Sequence, residues 1–321
     1  MKLCIQIPCF NEESYLPQTV RDLPTSLPGI DAIEVVVVDD GSVDRTAEVA
    51  RAMGAYVVTI PVNRGLANAF VKGMAACVAR GADIVVNTDA DNQYCADDMA
   101  KLVAPILSGE ADIVIGARPI ADIASFSLFK KTMQRIGSRV VGLLSGTRVA
   151  DATSGFRAMS RGAALRANVF SRYTYTLETI VQAAHHGMRV TSVPIRVNAS
   201  IRESRLVRSN LHYLWRSGSD LLRIFVVYRP FRSFMVPAIA LFSVATAIAF
   251  RFLYYFFADD GGAGHLQSLI LAAILYGLSG ALMAVAFVGD LLAINRRLLE
   301  EMQLDARRAR IGRDGDERKD G

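Results

Sequence analysis

Short apolar runs recur through the N-terminal part of the chain, and most of them end in a cluster of Asp, Asn and Gly. Leu3–Ile7, Ala32–Val38, Ala55–Ile60, Ile84–Thr88 and Ile113–Ile115 are of strand length. Helix-like patterns separate them at about thirty-residue spacing. Alternation of this kind specifies an α/β fold with a mostly parallel sheet and right-handed crossovers. Ala32–Val38 is apolar almost throughout, as a strand buried on both faces requires. Pro8 is expected to stop the first strand, and Asp44 to cap a helix over Thr46–Met53. Ligands of such sheets bind beyond the carboxyl ends of the strands. Pro8–Glu12, Asp39–Ser42, Asn63–Gly65 and Asp89–Gln93 all fall at that edge.

The last of these clusters carries the most chemistry. In Asn87-Thr88-Asp89-Ala90-Asp91-Asn92-Gln93-Tyr94, two carboxylates and a carboxamide occupy alternate positions. In extended chain, alternate side chains point to one side, so Asp89, Asp91 and Gln93 are expected to converge. Hard oxygen ligands in that arrangement suit Mg²⁺ or Mn²⁺ holding a diphosphate. The competing reading is an Asp- and Asn-rich turn that merely ends a strand. The chain has no G-x-G-x-x-G after its first strand and no P-loop, which argues against a dinucleotide enzyme or an ATPase. Cys4, Cys9, Cys77 and Cys95 lack a close-spaced metal pattern and read as thiols in a reducing compartment. Met1-Lys2 leads directly into a strand without a signal peptide, so this part is expected in the cytosol. The four histidines form no catalytic or metal set.

Six ordered motifs carry a resemblance. Pro8-Cys9-Phe10-Asn11-Glu12-Glu13, Val37-Val38-Asp39-Asp40-Gly41-Ser42, Asn63-Arg64-Gly65 and Asp89-Ala90-Asp91-x-Gln93 resemble family 2 glycosyltransferases. Asp112-x-x-Ile115-Gly116-Ala117-Arg118 and Asp151-Ala152-Thr153-Ser154-Gly155-Phe156-Arg157 narrow this to the polyprenyl-phosphate sugar transferases. That branch is typified by dolichol-phosphate mannose synthase and undecaprenyl-phosphate glucosyltransferases. The resemblance spans roughly residues 1 to 210. It implies a GT-A fold and a nucleotide-sugar donor, UDP- or GDP-linked. Asp89, Asp91 and Gln93 then hold the metal and diphosphate. Asp40 contacts the base or ribose, with Pro8 and Glu12 lining the same pocket. Arg118 meets the acceptor phosphate, Asp151 orients or deprotonates it, and Glu178 is an acid near the site. Arg202 and Arg205 correspond to a segment that closes over the diphosphate, although Arg205 replaces the family lysine and Glu203 a small residue.

A lipid-phosphate acceptor needs cations. Lys131, Arg135 and Ser138 lie on an expected helix, Ser127–Leu144, where spacings of four and three put them on one face. A solvated basic face is the other reading of that pattern.

Farther along, Arg208, Arg216, Arg223 and Arg229 are interleaved with Leu211, Tyr213, Trp215, Leu222 and Phe225. This is the pattern of an amphipathic helix at a bilayer surface rather than of a nucleic-acid site. Residues 233–257 and 266–290 are each long and apolar enough to span a bilayer. Arg251 sits near the outer end of the first span, where its charge can snorkel. The loop between the spans carries Asp259 and Asp260 and no Lys or Arg. Arg229, Arg232, Arg296 and Arg297 crowd the other side, so the positive-inside rule places both termini in the cytosol. The expected organisation is a GT-A domain (1–205), membrane-interface helices (206–232), two spans, and a charged tail (291–321) that is disordered from Arg307 onward. Such a protein is a multi-pass cytoplasmic-membrane enzyme, and its two-span relatives assemble into homo-oligomers. A processive polysaccharide synthase is the alternative within the superfamily, but Trp215 lacks the Q-x-x-R-W context. A catalytically silent membrane scaffold is the alternative outside it.

Overall fold

The computed structural model describes residues 1–119, 137–138, 141–142, 146–147, 149–167, 169, 175–198, 219, 222–223, 225–258 and 266–317. The chain forms two compact units, Met1–Leu221 with Leu304–Gly321, and Leu222–Gln303. The first unit is built on seven strands: β1 (Lys2–Cys9), β2 (Ala32–Asp40), β3 (Tyr56–Ile60), β4 (Ile84–Asn87), β5 (Ile113–Ala117), β6 (Arg157–Ser160) and β7 (Val190–Pro194). Their order across the sheet is β3-β2-β1-β4-β6-β5-β7. Helices α1 (Leu16–Asp22), α2 (Thr46–Ala52), α3 (Leu66–Ala79), α4 (Met99–Leu107), α5 (Arg161–Arg166) and α6 (Thr176–His185) connect and cover them.

The strands run parallel except β6, which is antiparallel to both of its neighbours. Arg157 stands opposite Asn87 on one side and opposite Ile115 on the other. The start of β6 therefore lies at the edge where the parallel strands end. The apolar runs were legible as strands, but Pro8 does not stop β1. It pairs in register with Val38 on β2, while pairing with β4 has already ended at Gln6 and Asn87. A missing N–H is tolerated where one side of the strand is unpaired.

Leu3, Ile5, Ile7, Val37, Ile84, Val86, Leu102 and Phe156 form the central apolar cluster. Helix α3 lies unusually close to the sheet because residue 73 is glycine. A Cβ there would come within 2.1 Å of Gln6 Oε1 and 2.8 Å of Val38 Cγ2.

The second unit holds α7 (Pro230–Ala258) and most of α8 (Leu266–Glu317). Each is long and apolar enough to cross a membrane, with an 18-residue stretch of mean hydropathy 2.0 inside Pro230–Phe257 and of 2.2 inside Leu266–Ala309. Their shared seam is made of small residues: Ala238, Ala245, Ala272, Ser279 and Ala286 are buried. Ser279 Oγ donates to Ala238 O at 2.8 Å, and Tyr276 OH to Thr246 Oγ1 at 2.9 Å. Small side chains with interhelical hydrogen bonds are how helices approach closely where no water drives them together. Ile239, Phe250, Ile274 and Phe287 face outward. The expected disorder from Arg307 is not what the structure shows, since α8 continues to Glu317. Residues 291–304 are rich in Leu, Glu, Met, Gln and Arg, strong helix formers, and Arg307–Glu317 adds four arginines to the same helix. Ion pairs Arg296–Glu300 (3.3 Å) and Asp305–Arg308 (3.8 Å) add support along it. The interface helices expected over 206–232 fall largely outside the described residues.

Gly73→Ala would gain helix propensity, but the overpacking against Gln6 and Val38 outweighs it. A net loss of about 1–3 kcal/mol is expected, checked by thermal unfolding in detergent; an unchanged melting temperature would show that the sheet yields freely.

Candidate active site

Three of the polar clusters at the strand ends are laced to one another. At the end of β2, Asp40 accepts from Arg64 N at 3.0 Å and from Gly65 N at 2.8 Å. These amides lie just before α3, whose N-cap is Gly65, so the carboxylate that ends a strand also holds the loop leading into the helix. Gly41 adopts φ +74°, and a Cβ there would lie 2.6 Å from Asn63 N; the two loops meet backbone to backbone. Ser42 Oγ accepts from Asn11 N at 3.0 Å, and Asn11 Oδ1 accepts from Val43 N at 2.9 Å. Glu12 N donates to Thr46 Oγ1 at 2.9 Å. The helix start is capped from Asp44, whose Oδ1 accepts from Thr46 N at 3.0 Å. Asp40 is thus engaged as a brace for the 63–65 loop, a role the motif alone did not reveal. Pro8 and Glu12 are both buried beside it.

The stretch 87–94 bends where extended geometry was expected. Strand β4 ends at Asn87, a turn follows at Ala90–Asp91, and Asn92 takes a left-handed φ of 54°. Alternation therefore does not bring Asp89, Asp91 and Gln93 to one side; the turn sets their placement. Gln93 N donates to Asp91 Oδ1 at 3.3 Å. The loop is held from both flanks. Thr19 Oγ1 donates to Ala90 O at 2.7 Å, and Asn92 Nδ2 to Asp22 Oδ2 at 2.7 Å. On the other flank, Asn198 N donates to Gln93 O at 2.8 Å, and its Nδ2 to Asn92 O at 2.9 Å. No sequence signal marked Asn198.

Asp89 and Asp91 are close enough to oppose each other's charge. Desolvation, and then the Asp91 charge, push Asp89 up to about 6, against the pull of Tyr94, Arg118 and Arg157. Burial first, and then Glu12, Asp39, Asp44 and Asp89, also raise the Cys9 thiol well above its ordinary value. Carboxylates from three strand ends thus surround one point of the edge.

The loop before β6 supplies the opposite charge. Arg118 grips Asp151 with two hydrogen bonds, Nε to Oδ2 at 2.7 Å and Nη2 to Oδ1 at 3.1 Å, and Nη2 also donates to Thr153 Oγ1 at 2.9 Å. Burial opposes the Arg118 charge, but Tyr94, Asp151 and Asp89 outweigh it and raise its pKa. Ser138 Oγ accepts from Ala152 N at 3.1 Å, tying it to this loop. Arg157 is fully buried; Nη1 donates to Thr176 O at 3.1 Å and to Thr179 Oγ1 at 2.6 Å, and Nη2 donates to Ser154 O. It fastens the loop to the start of α6, where Glu178 is buried in the first turn. Lys131, Arg135, Arg202 and Arg205 lie outside the described residues.

Among the described residues no group of three or more His, Cys, Asp or Glu could hold a metal ion. The Asp89–Asp91 pair still fits a hard divalent cation. Mg²⁺ is held by one or two carboxylates with phosphate oxygens completing its shell, and a carboxyl raised by burial and then by a neighbouring carboxylate, as Asp89 is, is what such an ion relieves.

A parallel α/β sheet with an acid-lined carboxyl edge defines a GT-A-like fold. Residues 4–166 match the family model for glycosyl transferase family 2, and the chain belongs to that family. An undecaprenyl-phosphate mannosyltransferase of Micrococcus luteus is 29% identical over 218 residues, covering 64% of this chain and 88% of its own. A UDP-N-acetylglucosamine–dolichyl-phosphate N-acetylglucosaminyltransferase of Methanococcus voltae is 29% identical over 215 residues, 59% of this chain and 83% of its own. Glucosyl-3-phosphoglycerate synthase of Mycobacterium tuberculosis, solved with Mn²⁺, UDP-glucose and phosphoglyceric acid, shares the fold: TM-score 0.52, 22% identity, 70% of this chain and 78% of that one.

The brace formed by residues 195–198 depends on Asp98. Burial favours its neutral form, but hydrogen bonds from Arg196 and Lys101 win and hold its pKa down to about 2. A carboxylate depressed in the fold stabilises above its ordinary value and loses that contribution as pH falls through the folded value. Asp98→Asn is therefore expected to cost roughly 2 kcal/mol at neutral pH. The gap to wild type should close between about pH 4 and about pH 2. A gap that stays constant on acidification would remove the ion pair from the account.

Proposed function

We propose that the protein transfers a sugar from a UDP- or GDP-linked donor to a polyprenyl phosphate, with inversion at the anomeric carbon, on the cytosolic face of a membrane. The observation that carries this reading is the pairing of two unlike loops at one sheet edge. Asp89 and Asp91 form an electronegative site for a metal-bound diphosphate, and Arg118, held by Asp151, forms an electropositive one. The names of the Micrococcus and Methanococcus relatives support a lipid-phosphate acceptor, and the Mn²⁺ and UDP-glucose of the mycobacterial neighbour support the donor side. Two apolar helices supply the membrane attachment, with both termini cytosolic by the arginine distribution.

In the displacement, an oxygen of the acceptor phosphate bonds to the anomeric carbon as the bond to the donor diphosphate breaks. Asp89 and Asp91, with Gln93 beside them, would hold Mg²⁺ or Mn²⁺, which when bound would supply charge neutralisation for the departing diphosphate. Asp40 and Gly41 fix the 63–65 loop that borders the donor. Arg118 spends Nε and Nη2 on Asp151 and Thr153, which among the described residues leaves the two N–H groups of Nη1 for a phosphate oxygen. Asp151 Oδ1 accepts from Arg118, Thr153 N and Thr153 Oγ1, and Oδ2 from Arg118. So engaged, it orients Arg118 and does not act as a base. A phosphate acceptor already carries the negative charge the attack requires. Lys131, Arg135 and Ser138 are proposed to extend the acceptor site, and Arg202 and Arg205 the donor site.

Membranes containing the protein, undecaprenyl phosphate and a panel of UDP- and GDP-sugars test the reading. One donor should yield a lipid-linked sugar; folded protein that gives none with any donor would overturn it. Asp91→Ala is expected to leave the protein folded and membrane-bound while transfer falls by at least about 10²-fold. Arg118→Lys and Asp151→Asn should each weaken the acceptor dependence of the rate, and the double variant should be little worse than either single one. Additive losses would separate the two residues.

A further inference from the structure

The carboxylate Asp89 is held by more than its own loop. Tyr94 closes that loop, and its hydroxyl lies near enough to Asp89 to pull the carboxyl's pKa down against burial. The same hydroxyl oxygen accepts from Gly155 N at 3.1 Å. A phenol has one proton; with the oxygen receiving the Gly155 amide, that proton is left to donate toward the carboxylate. Gly155 lies against Asp89 from the other direction. A Cβ at residue 155 would sit 2.9 Å from both Asp89 carboxylate oxygens and 3.0 Å from the Tyr175 hydroxyl. Gly155 O is occupied in turn, accepting from Asn87 Nδ2 at 2.8 Å. Asn87 Nδ2 also donates to Tyr175 OH at 2.8 Å, and Asn87 Oδ1 accepts from Gln6 Nε2 at 2.8 Å. Aromatic stacking locks the ring positions: Tyr94 on Phe156 at 5.0 Å and Tyr175 on Phe70 at 3.8 Å between centroids.

We infer that Tyr94 and Gly155 are positioning residues that fix Asp89 for metal binding and tie it to the loop bearing Asp151. The inference rests on the reading of Asp89 and Asp91 as the metal site. Its physical basis is that a partner hydrogen-bonded to a ligating carboxylate sets both its orientation and its basicity. Here the partner also anchors the Asp151–Gly155 loop, so the metal carboxylate and the arginine that meets the acceptor share one support. Gly155 is required because any side chain would occupy the space between that loop and the carboxylate.

The test is Mn²⁺-dependent binding of UDP and of GDP to the purified full-length protein in detergent, read by calorimetry, with no acceptor or turnover involved. Tyr94→Phe keeps the stack on Phe156 and removes only the hydroxyl. It should raise the Mn²⁺ concentration for half-maximal nucleotide binding by about 10–100-fold, with the fold intact by thermal unfolding. Gly155→Ala leaves the hydroxyl in place and crowds Asp89 from the opposite side, and it should raise the midpoint too. It decides the matter if Tyr94→Phe gives no cooperative unfolding. Ser160→Ala, which removes the cap of α5 at the opposite edge of the sheet, should leave the midpoint within about twofold. If wild type binds neither nucleotide with Mn²⁺, the metal reading itself fails and takes this inference with it. If wild type binds and both Asp89 neighbours can be changed without moving the midpoint, the metal reading stands and the positioning role is refuted.

Discussion

The arrangement depends first on one pairing, the antiparallel insertion of β6 between β4 and β5. In a sheet of parallel strands, every loop at the carboxyl edge leaves a strand. A reversed strand is the one way for a loop to arrive there. With Arg157 opposite Asn87 and Ile115, the segment Asp151–Phe156 reaches the edge just before it enters the sheet. It lands beside the exit of β4, which carries Asp89, and the exit of β5, which carries Arg118. Reversing one strand thus gathers three chemically distinct segments within hydrogen-bonding range of one another.

Charge is divided between these segments. On one side, acids from the ends of β1, β2 and β4 crowd one point, and burial, then their mutual repulsion, shows in the raised Asp89 and Cys9. On the other, Arg118 is neutralised by Asp151 across two hydrogen bonds and, among the described residues, still has one nitrogen uncommitted. Arg157 sits beneath both, buried and bonded to carbonyl and hydroxyl oxygens rather than to an acid. Burial lowers its pKa, so its charge is held by oriented dipoles, and its field reaches Asp89 and Asp151 at longer range. An interior that keeps a cation without a contact partner must surround it with fixed acceptors.

Much of this was legible in the chain. The apolar runs of β1 to β5 announce themselves, and the polar clusters at their ends were placed at the right edge by topology alone. Strand β6 was not, because Arg157-Ala158-Met159-Ser160 has neither an apolar run nor a period. Its burial comes from neighbours on both sides. Strand β7 is half-buried at the sheet margin and similarly weak in pattern. The turn at Ala90–Asp91 defeated the extended-chain argument because a left-handed Asn92 is compatible with the same letters. Asp40 was marked by its motif, but which amides its oxygens would take depends on how closely Gly41 lets two distant loops approach. Tyr94 and Asn198 act across gaps of 61 and 104 residues, and nothing local records such partners. The helical continuation of α8 was hidden by charge density, which marks disorder and strong helix formers alike.

The double bracing of the 88–95 loop has a thermodynamic side. Thr19 and Asp22 hold it from α1, and Asn198 holds it from the far margin of the sheet, so its backbone has few conformations left to lose. Ordering a loop costs about 1–2 kcal/mol per residue in lost chain entropy. Here that cost falls on folding rather than on the encounter with a ligand. A segment dense in acids and turn residues, which in isolation would be among the most mobile of the chain, is already shaped before any ligand arrives. The affinity of that half of the site is then set by charge and desolvation, with little drawn off to arrange the protein.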